Sequence, residues 1–411
     1  MVKKTDNKLI VGLDIGTSKV LAIVAEVDSE GKNLEIIGVG HHPAKGLRRG
    51  VVADIESTVS SIQRAIEEAE LMAGCEILSV YAGIAGAHIN SFNSHGVVAI
   101  RDGEVTQSDV ERVIEAAQAM AIPNDQRILH VLPQEYVIDG QDEIKEPMGM
   151  CGVRLEAKVH LITGAVSAAQ NIVKCIKRCG LEVDDIILEQ LASSESVLTD
   201  DERNLGVCML DVGGGTTDIA IFQGGTIKHT AVIPIAGDQV TNDIAIAIQT
   251  PTHAAEELKK KYGCALASQV GEDESIDAPS IGGKPSRKLL RHNLAAVIEP
   301  RMEEIFVLAQ NELRRSGFEG IVTSVVITGG SSKIEAAVEL AEEVFNMPVR
   351  LGLPNYEGSL SEMVLNPIYA TGTGLVKFGH KGIGQIKRKE RKTNTFSEVL
   401  ARMKGWFKGN F

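Results

Sequence analysis

LGVCMLDVGGGTTDIAIF, residues 205–222, decides the fold. An apolar run over 207–210 ends in Asp211, then come Gly213-Gly214-Gly215, Thr216-Thr217 and Asp218, and a second apolar run covers 219–222. The pattern predicts two buried strands joined by a tight glycine turn. Glycines let the backbone approach a bulky anion with their N–H groups aimed at it. An aspartate at the end of the first strand can hold a cation, or its water, beside that anion. Near the start, LIVGLDIGTSKVLAIV (9–24) repeats the layout: apolar strand, Asp14, Gly16, Thr17-Ser18-Lys19, apolar strand. Two such hairpins predict two related halves, each offering a phosphate loop to one ligand held between them. No GxxxxGK[ST] occurs and a strand, not a helix, follows each turn, which excludes a P-loop and a GxGxxG dinucleotide turn.

Composition sets the outer limits. A chain of 411 residues is long for a single core, so two or more domains are expected. Hydrophobic residues at 44% and charged residues at 24% describe an ordinary globular protein. The formal charge of −13 argues against nucleic-acid binding and would repel an anionic membrane, so any membrane contact must come from a local exception. Cys75, Cys151, Cys175, Cys179, Cys208 and Cys264 form no CxxC pair and read as reduced cytosolic thiols. No signal peptide or membrane span is evident: the longest interval free of Asp, Glu, Lys and Arg, 77–100, holds His88, Asn90, Ser91, Asn93, Ser94 and His95.

Along the chain, strands are expected at 9–27 and 33–39, then a helix N-capped by Ser57 and stopped by Gly74, then a buried strand at 79–86. Residues 84–161 look like an insertion with its own short strand (97–100), helix (106–121) and two alternating strands (128–139, 151–163). Helix 167–179 and strand 181–188 lead to Glu189 at a strand end. Gly237 opens a helix through Ile248, and 254–262 is a second helix with Glu256 and Lys259 three apart; a surface ion pair accounts for that spacing as well as a ligand contact does. Polar residues 267–285 precede a long helical stretch over 286–317, punctuated by Pro300. Lys284, Arg287, Lys288, Arg291 and Arg301 give a basic cluster there, either a solvated helix face or a groove for an acidic–apolar peptide. At 324–345 a strand, Gly329-Gly330 and a helix form a βα turn, with Ser331, Ser332 and Lys333 beside it. The Lys/Arg-rich GHKGIGQIKRKERKTNT (379–395) reads as a flexible linker. It tethers FSEVLARMKGWFKGNF, where Phe396, Val399, Leu400, Met403 and Phe407 recur at helical spacing beside Trp406 and basic residues, an interfacial anchor pattern.

From KLIVGLDIGTSKV (8–20) through LASSESVL (191–198), LDVGGGTTDIA (210–220) and ITGGSSKIE (327–335) to that tail, the chain resembles the FtsA family of bacterial cell-division proteins, within the actin, Hsp70 and sugar-kinase superfamily. The resemblance implies an α/β, actin-like (ribonuclease H-like) duplicated two-domain fold with an inserted α+β subdomain and a C-terminal amphipathic helix. It implies subdomain 1A at 1–83, 162–192 and 366–378, with 1C at 84–161. It places 2A at 193–232 and 302–365, 2B at 233–301, the linker at 379–395 and the membrane-targeting helix at 396–411. The implied ligands are ATP and Mg²⁺, with Asp14 and Asp211 holding the ion through water. Gly16, Thr17, Ser18, Lys19, Gly213, Gly214, Gly215, Thr216 and Thr217 would cradle phosphates; Gly237, Glu256, Lys259, Gly329, Gly330, Ser331 and Lys333 would hold the nucleoside. Glu189 would position water for at most a weak ATPase. The implied partners are the C-terminal peptide of the tubulin-like FtsZ on 2B, further copies of the chain in filaments, later division proteins on 1C, and anionic lipid under Phe396, Val399, Leu400, Met403, Trp406 and Phe407, at the cytoplasmic side of the inner membrane of the septum. A small-molecule kinase of the same superfamily is the competing reading; it has no use for the tail. An Hsp70-like chaperone is a third, less expected because the residues after 378 read as a linker and an anchor and not as a peptide-binding domain.

Overall fold

The computed structural model describes residues 8–28, 31, 33–283 and 285–390. Lys284 and the expected anchor residues Phe396, Val399, Leu400, Met403, Trp406 and Phe407 lie outside them.

The first half begins with β1 (Lys8–Ile15), β2 (Lys19–Val27), β3 (Leu34–Pro43), helix α1 (Ile55–Ala73) and β4 (Ser79–Ile84). An insertion follows: β5 (Asn90–Ala99), α2 (Gln107–Gln118), β6 (Gln126–Ile138), β7 (Gln141–Ile144) and β8 (Arg154–Ala165). The chain then returns through α3 (Val166–Arg178), β9 (Glu182–Leu188) and α4 (Glu189–Val197). The second half has α5 (Asp200–Leu205), β10 (Val207–Val212), β11 (Thr217–Gln223), β12 (Thr226–Ile233), α6 (Gly237–Ile248) and α7 (Thr252–Tyr262). It continues with β13 (Ser275–Ala278), β14 (Arg287–Leu290), α8 (Arg291–Ser316), β15 (Ser324–Thr328), α9 (Ala337–Phe345), β16 (Val349–Leu351) and α10 (Ser361–Val364). Helix α11 (Ala370–Glu390) crosses back to the first half.

The two main sheets have one topology. Their orders are β3-β2-β1-β4-β9 and β12-β11-β10-β15-β16. In each, the first three strands are an antiparallel meander and the last two join in parallel. This is the duplicated actin-like fold expected from the two hairpins. Central strands β1 and β10 are apolar on both faces because helices cover both sides of each sheet. The insertion has its own four-stranded sheet, β5-β8-β6-β7, and its own core around Val113, Leu155, Val159 and Leu161.

Three local expectations change. Helix α1 starts earlier than Ser57, because Asp54 takes the cap, accepting from the Glu56 N–H at 3.2 Å and from the Ser57 hydroxyl. Residues 287–290 are a strand, not the start of a helix: Leu289 faces Ile276 across the β13–β14 ladder and packs against the core of the second half. Four residues are too few for alternation to be told from helical periodicity in sequence. Finally, α11 runs on to Glu390, so residues 379–390 are helical, not linker. Gly379 does not break the helix but lets it lie against Tyr81 and Ile10, where a Cβ would come within 2.7 Å and 2.8 Å of ring and methyl carbons.

Helix α11 is seated through small residues. A Cβ on Gly12 would lie 2.7 Å from the Gly372 carbonyl oxygen, and one on Gly374 would overlap the Ala192 carbonyl of α4. Backbone cannot yield as a side chain does, so Gly374→Ala is expected to cost about 3 kcal/mol, the upper end of an overpacking penalty. Thermal or urea unfolding measures it; an unchanged midpoint would show that α11 does not need this approach.

Candidate functional site

The two glycine turns are closed alike. Gly16 N–H donates to Lys19 O and Gly213 N–H to Thr216 O, each at 3.0 Å. Each turn puts an aspartate one residue before the end of its first strand: Asp14 on β1 and Asp211 on β10. The turns meet tip to tip. A Cβ on Gly214 would overlap the Ser18 hydroxyl, and one on Gly215 would lie 2.6 Å from Thr17 Oγ1. Ser18 Oγ also reaches Asp238 Oδ1 at 3.5 Å.

Beyond Gly213 a second group of the expected residues gathers. Gly237 N–H and Ser331 Oγ both donate to Gly213 O, at 3.2 Å and 2.7 Å. Lys259, buried, donates to Gly237 O at 2.9 Å and Thr241 Oγ1 at 2.8 Å, and pairs with Glu256 at 2.7 Å. That pair therefore reaches into the cleft and is not an isolated surface bridge. Gly329 has φ 86° and lies so close to Asp211 that a side chain would collide with the carboxylate. Gly330 follows on a short 3-10 turn, and Lys333 at its end is exposed. Thr217, the first residue of β11, is buried and donates to Ile235 O at 2.8 Å.

The floor of the cleft is crowded with carboxylates around one cation. Lys19 Nζ pairs with Asp14 Oδ2 at 2.8 Å. Burial alone would lower the Lys19 pKa, but the attraction of Asp14 outweighs it and the ammonium is held above its usual value. Lys19 thus neutralises the floor, where a phosphate contact was expected. Glu189 is the first residue of α4, and its side chain lies against Gly83 of β4, where a Cβ would come 3.0 Å from Cγ. Burial, then Asp14, Asp218 and Asp211, push its carboxyl well above the usual range.

Sequence reasoning missed four neighbours. Ser193 donates to Asp211 Oδ2, and Thr371 of α11 adds a second bond to that oxygen at 3.3 Å. Burial raises the Asp211 pKa, and the Ser193 bond partly restores it. Asp218 sits opposite Asp211 across the β10–β11 ladder, taking a bond from Thr216 Oγ1 at 2.9 Å and leaving Oδ1 buried without a partner. Burial and Asp211 drive its pKa to about 8. Thr241 completes the set. Asp218 alone was marked by the hairpin's own period; Ser193 and Thr371 arrive from distant helices and leave no local signal.

The basic residues do not form one free patch. Arg291 bridges Glu274 at 2.8 Å and Glu335, and Arg301 pairs with Asp243 at 2.6 Å and with Glu304. Arg287 caps the Ile248 carbonyl, and Lys288 is exposed.

With this geometry in place, comparison with known proteins is informative. The profile of a family described as Cell division protein FtsA matches residues 208–374, and that of the SHS2 domain inserted in FTSA matches 86–163. The chain is 60% identical to the Cell division protein FtsA of Pseudomonas aeruginosa over 418 residues, covering 100% of both chains. To that of Escherichia coli strain K12 it is 47% identical over 421 residues, again with 100% of both covered. Among solved structures, the PilM-PilN type IV pilus biogenesis complex matches with TM-score 0.65 at 16% identity, covering 90% of this chain and 98% of that one. MreB5 of Spiroplasma citri bound to ADP matches with TM-score 0.55 at 17% identity, covering 92% and 98%.

The state of Asp218 has a measurable consequence. With a folded pKa near 8 against an ordinary 3.8, the folded chain keeps a proton that the unfolded chain has lost between those pH values. Stability from this group therefore falls as pH rises from about 4 to about 8 and levels off above. Asp218→Asn is expected to flatten that slope in unfolding midpoints measured across the range. An unaltered slope would mean that Asp218 is ionised in the folded state.

Proposed function

The chain belongs to the FtsA family of cell-division proteins, and from that premise we propose that it is an ATP-binding, actin-like protein of the division machinery. One observation carries the nucleotide reading: two identically closed glycine turns, one from each half, converge beside paired aspartates. The backbone N–H groups of Gly16 to Ser18 and of Gly213 to Thr216 would hold the β- and γ-phosphates. Gly237, Lys259, Glu256, Ser331, Gly329 and Gly330 would hold the nucleoside. Asp14 and Asp211 would orient Mg²⁺. Hard carboxylate oxygens in excess over one lysine suit that ion. Among the described residues no three His, Cys, Asp or Glu side chains converge as a direct metal site, so the ion would be held through its waters. Mg²⁺ would neutralise developing phosphate charge; the protein's part is to orient the chain of phosphates.

Glu189 and Asp218 are the groups that would position an attacking water. Burial and the neighbouring carboxylates raise the pKa of both, which leaves less of each in the carboxylate form that acts as a base. Nucleotide bound between the halves would fix their relative angle and favour filament assembly.

Membrane attachment, on the inner face and at the septum, would fall to residues 396–411. No helix among the described residues is long and apolar enough to cross a membrane. Arg402, Lys404 and Lys408 would each add about 1 kcal/mol on anionic lipid. One short helix binds weakly, and filaments multiply it. The region 233–301 would take the FtsZ C-terminal peptide, with the β13–β14 ribbon and exposed Lys288 as its contact edge and Arg291 and Arg301 serving as internal ion pairs. The inserted subdomain would meet later division proteins. A sugar-type kinase has no supporting observation beside relatives that are division proteins along their full length.

Asp211→Ala is expected to abolish nucleotide binding measured by calorimetry; retention would remove the cleft assignment. Vesicle sedimentation with ATP tests the anchor. The full chain should pellet with anionic vesicles, whereas a chain cut after Glu390 and Trp406→Glu should stay in solution. Equal behaviour of all three would place membrane binding elsewhere or nowhere.

A further inference from the structure

Residues GLRRGVV (46–52) form a two-rung ribbon, pairing Leu47 with Val52 and Arg48 with Val51. At its tip Arg49 and Gly50 have φ of 51° and 76°, the left-handed pair that such a tight turn demands. Glycine or asparagine is at ease there; an arginine is strained, and strain of this kind collects at ligand sites.

The tip touches both phosphate hairpins. Gly50 N–H donates to Thr17 Oγ1 at 3.0 Å, and a Cβ on Gly215 would lie 3.0 Å from Arg49 Cα. The nucleoside group, Gly237 and Ser331, is gathered at the other end of the same turn, on Gly213. A nucleotide laid along the cleft with its base there points its last phosphate at Thr17, Gly215 and the ribbon tip. Charge makes the same demand. Lys19 is committed to Asp14 and Lys259 to Glu256, so neither cation in the cleft is left over for a terminal phosphate. The Arg49 side chain is exposed, with no ion pair or hydrogen bond among the described residues.

We infer that Arg49 binds the terminal phosphate of the nucleoside triphosphate and makes the site prefer ATP to ADP. A guanidinium matches two oxygens of one phosphoryl group, and a diphosphate ends short of it. The inference rests on the nucleotide reading of the cleft. The ribbon also borders the insertion: the Arg49 carbonyl oxygen lies 3.2 Å from where a Cβ on Gly86 would stand, at the point where the chain enters the inserted subdomain.

Calorimetry on the full chain with Mg²⁺, a non-hydrolysable ATP analogue and ADP tests it. Arg49→Gly keeps the turn and relieves the strain, so folding is not at issue; Arg48→Ala removes the neighbouring charge only. Arg49→Gly is expected to weaken the triphosphate roughly ten- to a hundredfold while ADP stays within about twofold, the cost of one charge-assisted phosphate contact. Arg49→Lys should recover part of it, and Arg48→Ala should change neither ligand. Equal effects of Arg49→Gly on both nucleotides, no effect on either, or an equal loss with Arg48→Ala would overturn the assignment. A wild-type chain that binds neither nucleotide would instead remove the cleft reading on which it stands.

Discussion

Four carboxyl groups, three of them buried, gather with one lysine at the centre of this molecule, and much of the surrounding structure serves to make that tolerable. Asp14, Asp211, Asp218 and Glu189 come from both halves, and Lys19 is the cation that Asp14, Asp211 and Glu189 face. Bringing like charges together in a place with little water costs several kcal/mol per ion unless protons, bonds or counter-charges compensate. Here all three are used: Asp218 and Glu189 are biased toward the neutral form, Ser193 and Thr371 bind Asp211, and Lys19 binds Asp14. A divalent cation with a polyphosphate would supply the rest. On the proposed reading the site is electrostatically incomplete alone, which would couple ligand to interdomain geometry.

That coupling has a mechanical frame. Asp211 belongs to the second half, yet one hydroxyl on it comes from α11, which packs on the first-half sheet, and the other from α4, which packs against α11 and touches strands of both halves. Gly374 sets α11 at backbone contact with α4, and Gly372 and Gly379 seat it on the Leu21, Ile23, Tyr81 and Ile10 side chains, so its threonine is delivered without slack. A rotation of the halves would therefore act directly on Asp211.

Much of this was legible in sequence because it is local. Each hairpin carries its strand, aspartate and turn within sixteen to eighteen consecutive residues, and duplication made the pair readable as a cleft. Helix α6 begins and ends where Gly237 and Ile248 predict. The rest fails for stated reasons. Ser193 and Thr371 are 178 residues apart and meet only through tertiary packing. The β14 strand is too short for its period to declare itself, and Arg/Lys composition after Gly379, read as solvated linker, equally suits a helix, since both residues are good helix formers. Arg49 is marked only by its backbone angle, which no sequence pattern displays.

The inserted subdomain gives the frame its last constraint. It grows from the first half, yet Ser91, Asn93 and Gln134 donate to the Thr230, Lys228 and Ile227 carbonyls on β12, the edge strand of the second half, at 2.7 to 3.2 Å. Between them His160, buried and held neutral by a pKa pushed down to about 3, lies 2.7 Å from Asn93 Oδ1 and 3.1 Å from Thr230 Oγ1. A neutral imidazole donates with one nitrogen and accepts with the other, which matches an amide oxygen on one side and a hydroxyl on the other. The same edge strand continues from β11, whose first residues follow the Gly213–Thr216 turn. A shift of that turn must therefore break these bonds or carry the insertion with it. Breaking them would strand the buried His160–Thr230 pair, at about 1–3 kcal/mol, and cost three further bonds at its rim. Movement as a unit is the cheaper course, and it would link the proposed nucleotide cleft to the surface that the insertion presents.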